Sequence, residues 1–217
     1  MRRVFLAGGT GYMGQRLAKH LSSRSHQVRV LARPGSEKKV NSPCEAVVGD
    51  PLRPETFALK VAPCDTWVHL VGVPHPNPRK AELFQSIDLR SVELAVPVAL
   101  AAGVQHFVYV SVAHPAPVMK AYTEVRKRCE EIIIESGMNA TLLRPWYVLG
   151  PGHRWPYLLK PIYALLEKVP STSESAKRLG LVTISQMVAA LTRAVEEPSC
   201  GIRIFDVPEI RRSGPAD

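Results

Sequence analysis

Short apolar runs alternate along the chain with longer segments in which apolar residues recur every three or four positions. The short runs are typical of buried strands, and the longer segments have the period of amphipathic helices. Strands are predicted over 4–7, 28–32, 45–48, 66–71, 106–112, 140–143 and 202–206. Helices are predicted over 12–23, 55–61, 79–102, 120–136, 156–168 and 184–196. Because strands that alternate with helices build parallel sheets covered on both faces, we expect an α/β fold with a doubly wound, mostly parallel sheet of about seven strands.

The chain of 217 residues has the length of one domain, and no repeat, low-complexity run or linker divides it. We therefore predict a single domain over 1–217. Pro97 lies inside the longest predicted helix. Because proline removes one backbone hydrogen bond from a helix, we expect Pro97 to kink or divide it.

A glycine-rich motif follows the first predicted strand and opens the first predicted helix. It consists of Gly8, Gly9, Thr10, Gly11, Tyr12, Met13 and Gly14. Glycines permit a tight turn and a close approach of the backbone to a pyrophosphate, while the N–H groups that begin the helix attract the anion. The spacing is G-x-x-G-x-x-G, so a tight turn without a ligand is the alternative. The motif predicts a phosphate-binding loop for a dinucleotide.

Ligands of doubly wound sheets bind at the carboxyl ends of the strands. Arg33 follows the second predicted strand, where an acidic residue is typical of NAD sites and a cation suits the additional phosphate of NADP. Arg29, Lys38 and Lys39 add positive charge nearby in sequence. We therefore expect NADP(H) rather than NAD(H), with a solvated loop arginine as the alternative. Asp50, after the third strand, is expected to bind the adenine amino group, to form a turn, or to do both.

The formal net charge of +9 raises the question of nucleic-acid binding. The basic residues form short, scattered clusters without interleaved aromatic residues, and a polyanionic cofactor accounts for part of the positive charge. We predict a small-molecule substrate and no nucleic-acid partner. No apolar run approaches the roughly 20 residues that cross a bilayer, and no secretory signal is present, so a cytoplasmic location without membrane attachment is expected.

Neither the cysteines nor the histidines are spaced as metal ligands. The 4 cysteines are scattered without C-x-x-C pairs, at positions 44, 64, 129 and 200. The histidines lack H-x-x-x-H spacing. We therefore predict no metal site and no disulfide framework.

Several motifs together resemble the short-chain dehydrogenase/reductase superfamily, and most closely its atypical and extended branches, which include epimerase-like, NmrA-like and flavin-reductase-like proteins. The motifs are the glycine loop, Gly49-Asp50, the run 68–72, the run 107–111, Tyr122 with a basic residue four positions later, the run 143–152, and the run 182–185. The resemblance covers nearly the whole chain. It implies a Rossmann-type fold with a small C-terminal substrate lobe, and it assigns Leu70, Val71 and Gly72 to the cofactor side.

The resemblance also implies a catalytic pair. Ser111 and Tyr122 match the serine and tyrosine that hold the substrate oxygen in this superfamily. Arg126 stands where the superfamily has a lysine, and a fixed cation there favours the phenolate of Tyr122 without serving as a proton relay. Asp88 lies in the region where an asparagine often supports that relay. Slowed or absent activity is one expected consequence of the arginine.

The substrate side is predicted from the same resemblance. The stretch 150–180 corresponds to the substrate lobe of extended members and is short here, which suits a flat, aromatic or modest-sized substrate. Candidate substrate residues are His75, His114, Trp146, Tyr147 and Trp155. Packing in the core or at the rim is the alternative for the aromatic side chains.

Three functions follow from these observations. The first is an NADPH-dependent oxidoreductase that transfers hydride to a carbonyl, flavin or quinone-like acceptor. The second is a non-catalytic, NmrA-like sensor or accessory subunit that binds the cofactor, which the missing lysine favours and the Ser111–Tyr122 pair disfavours. The third is a sugar-nucleotide epimerase or dehydratase, which the small substrate lobe disfavours. A homodimer is possible in each case.

Overall fold

A computed structural model of the protein describes residues 1–116, 118–151 and 179–215. Its strands are β1 (Arg3–Ala7), β2 (Gln27–Ala32), β3 (Glu45–Val48), β4 (Thr66–His69), β5 (His106–Val110), β6 (Asn139–Arg144), β7 (Tyr147–Leu149), β8 (Leu181–Thr183) and β9 (Ile202–Asp206). Its helices are α1 (Tyr12–Ser23), α2 (Ala81–Leu83), α3 (Arg90–Ala101), α4 (Lys120–Glu135), α5 (Ile184–Glu196) and α6 (Val207–Arg212). The predicted strand and helix positions are therefore confirmed for most of the chain.

The main sheet has seven parallel strands in the order β3-β2-β1-β4-β5-β6-β9. From β1 the chain winds outward to β3, returns to β4 beside β1, and continues to the opposite edge. This order is that of dinucleotide-binding folds, which bind their ligand where the winding direction reverses. The carboxyl ends of β1 and β4 therefore mark the expected ligand crevice, and the predicted fold class is confirmed.

Two hydrophobic cores cover the two faces of the sheet. Successive side chains of a strand point to opposite faces, so Phe5 packs in the core beneath α3 and α4, while Val4 and Leu6 pack in the core beneath α1 and α5. Each fully buried side chain of this size contributes about 1.5–3 kcal/mol. This double burial explains why the strands read as nearly continuous apolar runs.

The longest predicted helix, 79–102, is interrupted, but not at Pro97. It begins with a 3₁₀ turn over Pro78–Lys80, continues through α2, widens into a π-helical segment over Phe84–Leu89, and ends as α3. Pro97 lies within α3, and both Pro97 and Glu93, whose carbonyl would accept the missing hydrogen bond, are exposed to solvent. Water can hydrate that carbonyl, so the helix continues through the proline.

Other differences from prediction are local. The predicted helix 55–61 is a pair of 3₁₀ turns, Pro54–Thr56 and Ala58–Lys60. Strands β7 and β8 form a separate parallel pair that was not predicted. Helix α6, which begins with a capping box between Asp206 and Glu209, was not predicted either. The predicted helix 156–168 lies outside the described residues. In the described ranges no helix is long and apolar enough to cross a membrane.

Candidate active site

The glycine loop packs directly on the chain that leaves β4. Gly8 has a φ of +83°, and a Cβ atom there would lie 2.7 Å from the carbonyl carbon of Leu70 and 2.9 Å from the amide nitrogen of Val71. Both the left-handed conformation and the missing space require glycine. The amide of Leu70 also donates to the carbonyl of Ala7 at 2.8 Å. The loop after β1 and the segment Leu70–Gly72 therefore form one continuous edge of the crevice.

The remaining glycines set the start of α1. A Cβ atom on Gly14 would overlap the carbonyl oxygen of Gly8, and one on Gly9 would lie 2.6 Å from Val30. Gly11 is the N-cap, with an extended conformation, and its amide donates to the carbonyl of Gly8 at 3.1 Å. Helix α1 thus begins in direct contact with the loop, as the motif predicts.

The N-terminus of α1 suits an anion. No side chain of the described residues caps it, and its first turn carries no acidic residue. The first amides of a helix lack intrahelical acceptors, and they lie at the positive end of the helix dipole. Thr10 accepts a hydrogen bond from Gln15 at 2.8 Å through its carbonyl, and Tyr12 and Met13 are half-buried. The loop and helix therefore fit the pyrophosphate of a dinucleotide.

The two residues predicted for the adenosine half lie at the expected strand ends. Arg33 is exposed, and within the described residues its guanidinium makes no hydrogen bond or ion pair. Asp50 forms a turn, because its Oδ1 accepts from the amide of Leu52 at 2.9 Å. The turn-forming interpretation of Asp50 is confirmed, and its contact with adenine stays a prediction. Arg29 does not add charge at this site, because it lies in the middle of β2 and donates to Glu45 on the neighbouring strand β3 at 2.8 Å.

Helix α4 presents a stripe of three polar side chains. Tyr122, Arg126 and Glu130 are four residues apart, and this spacing places them along one face of the helix. Tyr122 is half-buried, and its ring packs against Phe84 with the ring centres 5.0 Å apart. Arg126 and Glu130 are buried and face the ends of the strands.

Arg126 is held by three hydrogen-bond partners on two other elements, strand β5 and the π-helical segment. Its Nη1 donates to the hydroxyl of Tyr109 and to the carbonyl of Val110, both at 3.0 Å, and its Nη2 donates to Oδ1 of Asp88 at 2.6 Å. The guanidinium carbon lies 5.1 Å from the centre of the Tyr122 ring. Arg126 is thus one helical turn from the tyrosine, as predicted, and its charge is paired with a buried carboxylate.

Asp88 sits on the π-helical segment and is fully buried. Its Oδ2 accepts from the amide of Val73 at 2.9 Å, so it fixes the chain that follows Gly72. Burial raises the pKa of the Asp88 carboxyl, and Arg126 and the Val73 amide oppose that rise. A Cβ atom on Gly72 would overlap Nη2 of Arg126. Gly72 is therefore needed because the guanidinium occupies the space beside it.

Ser111 lies next to a second buried ion pair, which the sequence did not reveal. Nε of Arg144 donates to Oε1 of Glu130 at 3.0 Å, Nη2 donates to Oε2 at 2.5 Å, and Nε2 of His114 lies 3.3 Å from Oε2. Burial opposes ionisation, but the hydrogen bonds that the carboxylate accepts lower the pKa of Glu130 to about 2. We call His114, Glu130 and Arg144 the Glu130 cluster. The signal in the sequence was the spacing of Glu130 from Tyr122 and Arg126.

The predicted substrate residues are not all brought together. His114 joins Ser111 through the Glu130 cluster, whereas His75 is exposed, with a φ of +50°, on the loop after β4. Trp146 and Tyr147 pack edge to face with the ring centres 5.5 Å apart. Trp155 lies outside the described residues. No group of three His, Cys, Asp or Glu side chains in the described part of the chain forms a possible metal site.

The sheet order and the glycine loop define a dinucleotide-binding protein of the Rossmann type. A family model described as NAD(P)H-binding matches residues 8–154, and the chain belongs to that family. The solved structures of similar fold include a short-chain dehydrogenase/reductase superfamily protein from Agrobacterium tumefaciens with bound NAD, at a TM-score of 0.69 and 16% identity, covering 94% of this chain and 77% of that one. The family match and the shared fold confirm the predicted resemblance at the level of an NAD(P)-binding protein with a Rossmann-type fold.

Individual relatives are distant. The chain is 24% identical over 213 residues to a ceramide reductase from Caulobacter vibrioides, covering 97% of this chain and 66% of the relative. It is 27% identical over 177 residues to a 3-beta-hydroxysteroid dehydrogenase from Mycolicibacterium neoaurum, covering 69% and 48%. The enzyme WbmH of Bordetella bronchiseptica, solved with NAD+, matches with a TM-score of 0.71 at 19% identity, covering 95% and 75%. The chain spans about two thirds of the length of the ceramide reductase and about half of the length of the steroid dehydrogenase.

Proposed function

We propose that the protein is an NADP(H)-dependent oxidoreductase that reduces a carbonyl, flavin or quinone-like acceptor. The observation that carries the proposal is the position of Arg126, whose guanidinium lies beside Gly72 on the cofactor edge, beneath the ring of Tyr122, and against the carbonyl of Val110. Arg126 therefore contacts Gly72 at the crevice, the ring of Tyr122, which is the proposed proton donor, and Val110, the residue before Ser111. Reductases and dehydrogenases among the relatives support this class of reaction.

The residues that would hold the dinucleotide follow from the crevice. The loop Gly8–Gly14 and the first amides of α1 bind the pyrophosphate, and Leu70, Val71 and Gly72 line the side toward β4. Arg33 binds the additional phosphate of NADP, because its guanidinium is exposed at the end of β2 and matches phosphate geometry. Arg33 supports NADP(H) over NAD(H). When bound, the nicotinamide supplies the hydride.

The proton is supplied by Tyr122. Its phenol donates to the developing alkoxide, and Ser111 orients the same oxygen. Arg126 favours the resulting phenolate through its charge, although Asp88 cancels part of that charge at close range. A lysine would keep a movable ammonium for the same task, whereas the guanidinium is fixed and does not release a proton. We therefore expect catalysis to be slow.

The Tyr122→Phe substitution tests this assignment. We expect turnover of NADPH with the best acceptor of a carbonyl, flavin and quinone panel to fall by at least about 100-fold, the usual contribution of a positioned acid. The affinity for NADPH should change less than about threefold, since the phenol is not proposed to bind the phosphates. Turnover equal to that of the unsubstituted protein would remove Tyr122 from the mechanism.

A sensor or accessory role is the second candidate, and one observation favours it. Nη1 and Nη2 of Arg126 already donate to Asp88, Tyr109 and Val110, so these nitrogens are engaged by the protein itself. Tight binding of NADPH without turnover of any acceptor in the panel would support this second function.

A further inference from the structure

The Glu130 cluster lies next to Ser111, at the carboxyl ends of β5 and β6. Beyond β5, the segment 111–114 continues beside the segment after β6, because the amide of Ser111 donates to Leu143 at 2.7 Å and the amide of Ala113 donates to Pro145 at 2.9 Å. His114 is therefore held close to Ser111 by backbone hydrogen bonds. Its side chain keeps 18% of its surface exposed, whereas that of Glu130 keeps 3%.

The ion pair determines which nitrogen of His114 carries the proton. The guanidinium of Arg144 binds both oxygens of Glu130, which keeps the carboxylate ionised, and an ionised carboxylate only accepts hydrogen bonds. Nε2 of His114, 3.3 Å from Oε2, must therefore be the donor. In the neutral imidazole the other nitrogen, Nδ1, is then an acceptor. Nδ1 has no hydrogen-bond partner in the part of the chain that the structure describes.

Ser111 gives a second, independent observation at the same place. Its side chain is 3% exposed, and its Oγ makes no hydrogen bond of standard geometry with the described residues. The nearby Glu130 carboxylate gives this hydroxyl only a contact outside standard hydrogen-bond geometry, and a bound ligand can supply the better partner. The same carboxylate faces both side chains, since the Ser111 hydroxyl helps to lower the pKa of Glu130.

We propose that His114 Nδ1, beside Ser111, accepts a hydrogen bond from a hydroxyl group of the substrate, so that the substrate is a carbonyl compound with a hydroxyl near the reacting carbonyl. This inference rests on the proposed function and names the substrate class for the same site. A quinone offers only acceptors at this point and is a poorer fit. Glu130 and Arg144 are positioning residues, because they act through the imidazole.

Two readouts test the subsite. The first is the tautomer of His114, measured by long-range ¹H–¹⁵N NMR of the labelled protein; we expect the Nε2–H form, and a loss of this preference in Glu130→Gln. The second is binding of 1-hydroxy-2-butanone and 2-butanone to the protein saturated with NADP+. The hydroxy ketone should bind about tenfold more tightly, the effect of one net hydrogen bond.

Matched variants assign the effect to His114. His114→Phe should remove the tenfold preference for the hydroxy ketone, and His114→Ala serves if the phenylalanine variant does not fold. His20→Phe, at an exposed position of α1, should keep the preference. An Nδ1–H tautomer, equal binding of the two ketones, or binding of neither overturns the subsite. Cofactor affinity and NADPH turnover are measured separately. A failure of the subsite therefore does not by itself contradict the proposed reductase function.

Discussion

Arg126 occupies the position four residues after Tyr122 where the resemblance implies a lysine, and its neighbours differ accordingly. A buried guanidinium needs an anion and room for a planar group. Asp88 provides the anion at 2.6 Å, and Gly72 provides the room. These three residues come from three separate stretches of the chain. We infer that the arginine is an integrated part of the site rather than an isolated substitution.

The Gly72→Ala substitution tests this packing. The added methyl group overlaps Nη2 of Arg126, so we expect the free energy of unfolding to fall by about 1–3 kcal/mol, as for other overpacked sites. The measurement is urea denaturation. In an Arg126→Ala background the same methyl group has space, and its cost should shrink to a fraction of that value. An equal cost in both backgrounds would show that Arg126 is not the group that Gly72 accommodates.

The ion-pair partners of the site residues could not be predicted from the sequence. The motifs assigned Ser111, Tyr122 and Arg126 to the site, and the structure places them at the carboxyl end of β5. Spacing on a helix does not identify partners from distant stretches, so the pairing of Arg126 with Asp88 and the pairing of Glu130 with Arg144 were not predicted. The charge of Arg126 was predicted, but its partial cancellation by Asp88 was not.

Glu130 connects helix α4 to the end of β6 through its ion pair with Arg144. Its pKa is lowered from 4.5 to about 2 in the folded protein, so its contribution is complete above pH 4.5 and is lost as the pH falls toward 2. The shift corresponds to about 3 kcal/mol of folding free energy.

Acid unfolding of Glu130→Gln measures this contribution. We expect the variant to be less stable than the unsubstituted protein at pH 7, and the difference between the two to shrink as the pH falls below 4.5. The exposed Glu124→Gln on the same helix is the matched control, and it should change little at either pH. A stability difference that is independent of pH would contradict the buried ion pair.

Element boundaries were predictable where local chemistry sets them. Helices α1 and α5 begin and end as predicted, because a glycine turn and a capping box at Thr183 mark their starts. The capping box of α6 was an available signal that the sequence analysis did not use. By contrast, the π-helical segment around Asp88 carries a buried ion pair with Arg126, a tertiary contact that helix periodicity in the sequence does not reveal.

The whole molecule combines a predictable frame with a less predictable site. Alternating strands and helices allow few topologies, and the observed sheet order places the glycine loop beside the chain after β4. The crevice that results fits a dinucleotide through backbone geometry, which glycines reveal in the sequence. The side chains that would contact the hydride acceptor come from several loops. Their positions depend on tertiary contacts that the sequence pattern does not reveal.

The most direct test of cofactor binding is calorimetric titration with NADPH and NADH. The proteins compared are the unsubstituted protein, Arg33→Ala, and the control Arg90→Ala, which alters an exposed arginine on α3. We predict tight binding of NADPH, a loss of about 10- to 100-fold for NADPH in Arg33→Ala with little change for NADH, and no effect of Arg90→Ala. An equal loss for both cofactors would contradict the role of Arg33. Binding of neither cofactor to the unsubstituted protein would contradict the function assigned to the Gly8–Gly14 loop.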